Sequence, residues 1–134
     1  MLEGTMMSDE MVSVLRALWR EISACRRERE IHKLLEVKLG GEANVVIQGE
    51  KFPRVEIDVL VGRTALEVKL NRSFHEGIGQ AFALSVLYGY DTYLVHVYDV
   101  VDERLLNAFD CLKGHLPFKV IVMRRTDGRI WCYG

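Results

Sequence analysis

The chain has 134 residues, 49% of them hydrophobic, and a net charge of −1. This is one domain with enough apolar material for a buried core, which excludes a disordered chain. No apolar run approaches the roughly 20 residues of a bilayer span and no basic-then-apolar leader is present, so a soluble, intracellular protein (cytoplasmic, with no membrane partner) is expected. The near-neutral charge leaves phosphate contacts, if any, to local arginine clusters.

Residues 1–7 read as a loose N-terminus. Ser8 is a candidate N-cap, with Asp9 and Glu10 in the first turn. Met11, Leu15, Leu18, Ile22 and Cys25 recur at helical spacing, and Ile31, Leu34 and Leu35 continue the apolar pattern. Gly40-Gly41 is a stop, so 8–39 is predicted helical, bent or broken near 26–29. Val45 to Gln48 reads as a strand. Arg54 to Val61 and Thr64 to Leu70 alternate, with Gly62-Arg63 between them, which predicts a hairpin with a type II′ turn. Phe74 to Tyr88 reads as a helix, Thr92 to Tyr98 as a buried parallel strand and Asp102 to Lys113 as a short helix. Phe118 to Arg124, the Asp127-Gly128 turn and Ile130 to Tyr133 complete the chain. Strand, helix and strand over 64–98 form a crossover unit, so the expected class is α/β, a central mixed sheet flanked by helices. The segment 8–25 lies outside that unit and either covers the core or builds a dimer interface.

The hairpin carries the functional argument. With Gly62 and Arg63 as the loop, Val61 pairs with Thr64, Asp58 falls across from Glu67, and Glu56 across from Lys69. Val55, Ile57, Val59, Val61, Leu66, Val68 and Leu70 are expected on the opposite, apolar face. A solvated face of an antiparallel hairpin explains charged residues without any function. Two directly opposed carboxylates, however, destabilise a sheet unless a proton, a cation or a metal compensates them. Mg²⁺ suits such a pair, because it takes one or two carboxylates and keeps several waters. A metal there polarises a phosphoryl oxygen and activates water, and Lys69 orients that water or stabilises developing charge.

Asp58 in Val-Glu-Ile-Asp-Val-Leu-Val and Glu67-Val68-Lys69 in Ala-Leu-Glu-Val-Lys-Leu resemble the PD-(D/E)XK nuclease superfamily, which includes restriction endonucleases and small Holliday-junction resolvases. The resemblance covers roughly residues 26–124; the proline–aspartate step is absent, since Pro53 is not adjacent to Asp58. It implies a restriction-endonuclease-like fold and Mg²⁺, with Mn²⁺ substituting, on Asp58, Glu67 and the Val68 carbonyl. It also implies that Lys69 acts on the attacking water, and it matches Glu30 on the preceding helix and Gln80 on the crossover helix to further site positions. For Glu30 an ordinary exposed helix glutamate is an equal reading, and for Gln80 the alternative is a helix-face glutamine touching solvent or the sheet. Arg72 and His75, just past the catalytic strand, are candidates for substrate contact; a surface loop is the simpler reading.

Arg26, Arg27, Arg29 and Lys33 form either a phosphate-contacting cluster or, the preferred reading for most of them, a solvated helix face with Glu28, Glu30 and Glu36. Arg124, Arg125 and Arg129 make a second basic patch. Cys25, Cys111 and Cys132 are far apart with no CxxC spacing, so reduced, buried thiols are expected. His32, His75, His96 and His115 are scattered without metal-ligand spacing. Trp131, Tyr133, Tyr93 and Tyr98 are expected in packing roles. The expected function is an Mg²⁺-dependent endonuclease on DNA, acting as a homodimer with two sites for two strands; RNA is the other substrate considered. The competing expectation is a nuclease-fold module for binding or assembly that has lost catalysis.

Overall fold

The computed structural model describes residues 6–134. The predicted helical run 8–39 divides into α1 (Ser8–Ala17), α2 (Trp19–Ser23) and α3 (Glu28–Leu39). Ser8 is the first helical residue rather than the cap, and the Met7 N–H is met by the Glu10 carboxylate at 3.4 Å. Leu18 separates α1 from α2, and residues 24–27 form the break before α3. Gly40, at φ +70°, ends α3 in the left-handed conformation that glycine adopts without steric cost.

The predicted apolar stripe is buried along its length: Met11, Leu15, Leu18, Ile22 and Cys25 all face inward. These side chains pack with Ile31 and Leu35 of α3 against Leu66, Val68, Val95 and Ile121 of the sheet. Segment 8–25 therefore covers the core. Of the stretch expected to be loose, residues 1–5 lie outside the described residues. Met6 is held to the sheet, its N–H donating to Thr64 Oγ1 at 2.9 Å and its carbonyl accepting from the Tyr93 hydroxyl at 2.9 Å.

The strands are β1 (Glu42–Ile47), β2 (Val55–Val61), β3 (Thr64–Leu70), β4 (Asp91–Tyr98), β5 (Lys119–Arg124) and β6 (Ile130–Tyr133). They form one open six-stranded sheet in chain order. The pairs β3–β4 and β4–β5 are parallel, and the other three are antiparallel. The parallel connections run through α4 (Ile78–Val86) and α5 (Glu103–Leu112). On that second face Ala81 and Phe109 pack with Leu94 and Val120, and Leu84 with Ile57 and Ala65. The architecture is α/β, a mixed open sheet between two helical layers. Every residue of β4 except Asp91 is buried, as expected of a central parallel strand.

Several boundaries differ from expectation. The crossover helix begins at Ile78, not Phe74, because Gly77 takes φ +86° and residues 73–76 form a turn. The last helix gives way to a 3₁₀ turn at Lys113–His115. Cys25 is buried, but Cys111 and Cys132 are exposed, against the expectation of three buried thiols. Tyr93 and Tyr98 are buried, and Trp131 and Tyr133 pack partly against the cluster that holds Tyr98. Among the described residues no helix is long and apolar enough to cross a membrane.

Leu35 is fully buried where α3 meets the sheet. Leu35→Ala is expected to lower unfolding stability by about 2–5 kcal/mol, read from the urea midpoint with an unchanged slope.

Candidate active site

The hairpin closes as counted. Val61 pairs with Thr64, Leu60 with Ala65 and Val59 with Leu66. Gly62 has φ +60° while Arg63 does not have a positive φ, which fits the type II′ turn. Beyond Val59 and Leu66 the two strands part, while β2 stays paired with β1 out to Val55. Val68 and Leu70 follow Leu66 at two-residue spacing, so their N–H groups point to the edge that β2 has left. Carboxylates meet them there. The Val68 N–H donates to Asp58 Oδ2 at 2.8 Å and the Leu70 N–H to Glu28 Oε2 at 2.9 Å.

The strand is distorted at Asp58. The β1–β2 register puts Asn44 across from Asp58, and Asn44 has φ +54°. Asparagine tolerates the left-handed region better than most residues. On either side of this point the apolar residues of β2 face opposite layers. Val59 and Val61 pack under α1–α3, whereas Val55 and Ile57 pack with Leu84 of α4. The single apolar face expected for Val55 through Val61 is thus divided at Asp58. The expected opposition of Glu56 and Lys69 does not form: Glu56 is exposed and paired with Val46, and Lys69 lies beside His96.

Asp58 and Glu67 do converge. Glu67 is 2% exposed, and its Oε1 has no hydrogen-bond partner. Burial, then the neighbouring Asp58 charge, push its carboxyl up to about 9, with Lys69 working the other way. Burial also works against the Asp58 charge, but the His32 ring and the Val68 N–H outweigh it and hold this carboxyl below its ordinary range. Without a cation the pair therefore carries its charge on Asp58 and its proton on Glu67.

His32, on α3 and 5% exposed, was missed in the sequence. Its Nε2 is buried 3.4 Å from Asp58 Oδ2, facing the carboxylate without a well-aligned hydrogen bond. Its Nδ1 is 3.2 Å from the Asn44 amide nitrogen. The only signal available was its place in the apolar stripe between Ile31 and Leu35.

Lys69 is half-buried, and its stem runs past Gly77, where an added Cβ would sit 3.0 Å from Lys69 Cε and 2.6 Å from a Leu94 methyl. The Gly77 turn is anchored by His96, whose Nε2–H donates to the Glu76 carbonyl at 3.0 Å while its Nδ1 accepts from the Tyr98 hydroxyl at 3.1 Å. Burial takes His96 down to about 4, so it is neutral beside the lysine.

The structure thus brings together Asp58, Glu67, Val68 and Lys69. Glu30 is exposed on α3; the glutamate that reaches β3 is Glu28, two residues earlier. Gln80 is exposed on α4. Arg72 is exposed and paired with Glu28 at 3.1 Å and Glu76 at 3.4 Å, and His75 is exposed with its ring edge-on to Phe74. Among the described residues no group of three or more His, Cys, Asp or Glu side chains is gathered as a ready-made metal cage. Comparison with known proteins adds no relative: no family model, curated protein or solved structure matches the chain.

The Glu67 proton gives a pH test. Its ordinary value is 4.5, and in the fold it rises to about 9. Between those limits the folded state holds a proton that the unfolded chain has released, so stability falls as pH rises through this window. In chelator-containing buffer, Glu67→Gln is expected to flatten the fall between pH 5 and 9 and to exceed the parent in stability at pH 8. Parallel pH profiles of the two unfolding midpoints would contradict this.

Proposed function

We infer that the chain is a divalent-metal-dependent nuclease that hydrolyses DNA phosphodiester bonds, built on a restriction-endonuclease-like variant of the α/β architecture. The observation that carries the reading is a buried pair of carboxylates with an orphaned oxygen, set on the parting edge of a hairpin beside a lysine. A buried polar atom without a partner is costly, and a site that accepts a cation removes the cost.

The residues present fit Mg²⁺, with Mn²⁺ able to substitute. Asp58 and Glu67 would hold it, together with the Val68 carbonyl, which lies on the same strand edge as the Val68 N–H. A pair of carboxylates suits a hard ion that keeps several of its waters. Such an ion supplies Lewis-acid polarisation of a phosphoryl oxygen and a more acidic bound water.

The chain's own residues do the rest. Asp58 is fixed by the Val68 N–H and kept ionised beside His32, so a negative ligand is present before any ion arrives. Lys69, constrained by the Gly77 turn, orients the attacking water or meets charge developing on the phosphate. A homodimer would present two such sites to two strands. The near-neutral net charge favours a second reading, a binding or assembly module of the same fold without catalysis.

The test is cleavage of plasmid, branched and single-stranded DNA with Mg²⁺. Lys69→Ala is expected to lower the cutting rate at least about 10²-fold with an unchanged melting temperature. Undiminished cutting would remove Lys69 from the mechanism. Absence of cutting by the parent, together with no Asp58-dependent Mn²⁺ binding in calorimetry, would favour the module.

A further inference from the structure

A cleft of about 320 Å³ opens between the start of α3 and the end of β3, lined by Arg26, Arg27, Arg29 and Arg72 with Glu28 and Leu70. Four arginines line it in a protein of net charge −1. They are not equivalent to the other basic patch. Arg124 is matched by Asp127 in two hydrogen bonds, at 3.0 and 2.6 Å, and Arg125 by Asp99 at 2.7 and 3.1 Å. Arg26, Arg27 and Arg29 are exposed, and no carboxylate pairs with them among the described residues. The glutamate that would neutralise the cleft, Glu28, is turned to the Leu70 N–H and to Arg72. Arg72 is thereby held in place, while the charge of the other three stays available.

The position is as informative as the charge. Leu70 lines the cleft and adjoins Lys69, and one strand residue spans about 3.3 Å. Leu70 is three residues past Glu67, so the cleft begins about 10 Å along the strand from the carboxylate pair. Guanidinium groups bind phosphate oxygens in paired hydrogen bonds, and such contacts fix a nucleic acid's position without reading its sequence.

We propose that Arg26, Arg27 and Arg29, at this cleft, seat a backbone phosphate of DNA near the one cut, on the Leu70 side of Lys69. The identity of the ligand rests on the nuclease reading; the anion preference rests on the cleft alone. Seating that phosphate sets the register of the strand across Asp58 and Glu67.

The experiment measures binding of a short labelled duplex by fluorescence anisotropy across a salt series, in a Lys69→Ala background that does not cut. Arg27→Ala and Arg29→Ala should each weaken binding and reduce the slope of log K against log salt by about 1. Arg29→Lys should keep the slope, and Arg16→Ala, at an exposed position of α1, should change neither. Melting temperatures should be unchanged, since these side chains are exposed. Slopes unmoved by the cleft variants, an equal loss in Arg16→Ala, or no duplex binding at low salt would overturn the proposal. Arginine-dependent binding by a parent protein that fails to cut would uphold the cleft and sink the nuclease reading. Cutting with unaltered salt slopes would do the reverse.

Discussion

After Val59 and Leu66 the hairpin loses its ladder, and β3 is left with backbone N–H groups on an edge that no strand occupies. Side-chain carboxylates take the strand's place, Asp58 on Val68 and Glu28 on Leu70. A backbone donor left unpaired away from water costs as much as a lost hydrogen bond. Both acids are therefore structural before they are anything else. Because Asp58 is recruited to this edge, Glu67 is caught between a charged neighbour and a sheet that buries it, and the proton it retains follows from that enclosure. The same parting exposes the strand edge that carries the Val68 carbonyl.

The helical layers serve this arrangement. α3 brings Glu28 to the strand edge and His32 to Asp58, and both are on one side of the helix because they are four residues apart. α1 and α2 press α3 onto the sheet through the buried stripe from Met11 to Ile22. On the other face His96 ties down the Gly77 turn against Lys69. At the ends of the parallel strands, Asp99 joins Asn71 to Arg125, and Arg125 reaches the Cys25 carbonyl. The N-terminal helices are thus fastened to the ends of the same strands that carry the site.

Much of this was readable from residue order. A two-residue turn fixes register by counting, so the approach of Asp58 to Glu67 could be deduced from Gly62 and Arg63 alone. The buried parallel strand at Asp91–Tyr98 announced itself by an unbroken apolar and β-branched run. The division of β2 at Asp58 was not readable, because it coincides with a left-handed Asn44 on the neighbouring strand, and asparagine's tolerance of that conformation does not say where it is used. Glu30, the glutamate matched in the sequence, is exposed, and the one that reaches β3 is Glu28. Two residues rotate a side chain by about 200° around a helix, and the phase of α3 is set by tertiary packing rather than by propensity. His32 stayed hidden because its partner is distant in sequence, and an isolated histidine in an apolar stripe carries no metal-ligand spacing. The length of α4 was overread, since the apolar residues from Phe74 onward continue through a turn that Gly77 creates.

The proposed metal site requires that Glu67, held protonated by burial and the Asp58 charge, yield its proton to a cation. Carbon-detected NMR of the Glu67 carboxyl, titrated against pH with and without Mg²⁺, tests it at a single atom. The account predicts a midpoint near 9 in the metal-free protein and a clear downward displacement on adding Mg²⁺. A Glu67 carboxyl that ionises near its ordinary 4.5, or one whose midpoint Mg²⁺ leaves in place, would contradict it.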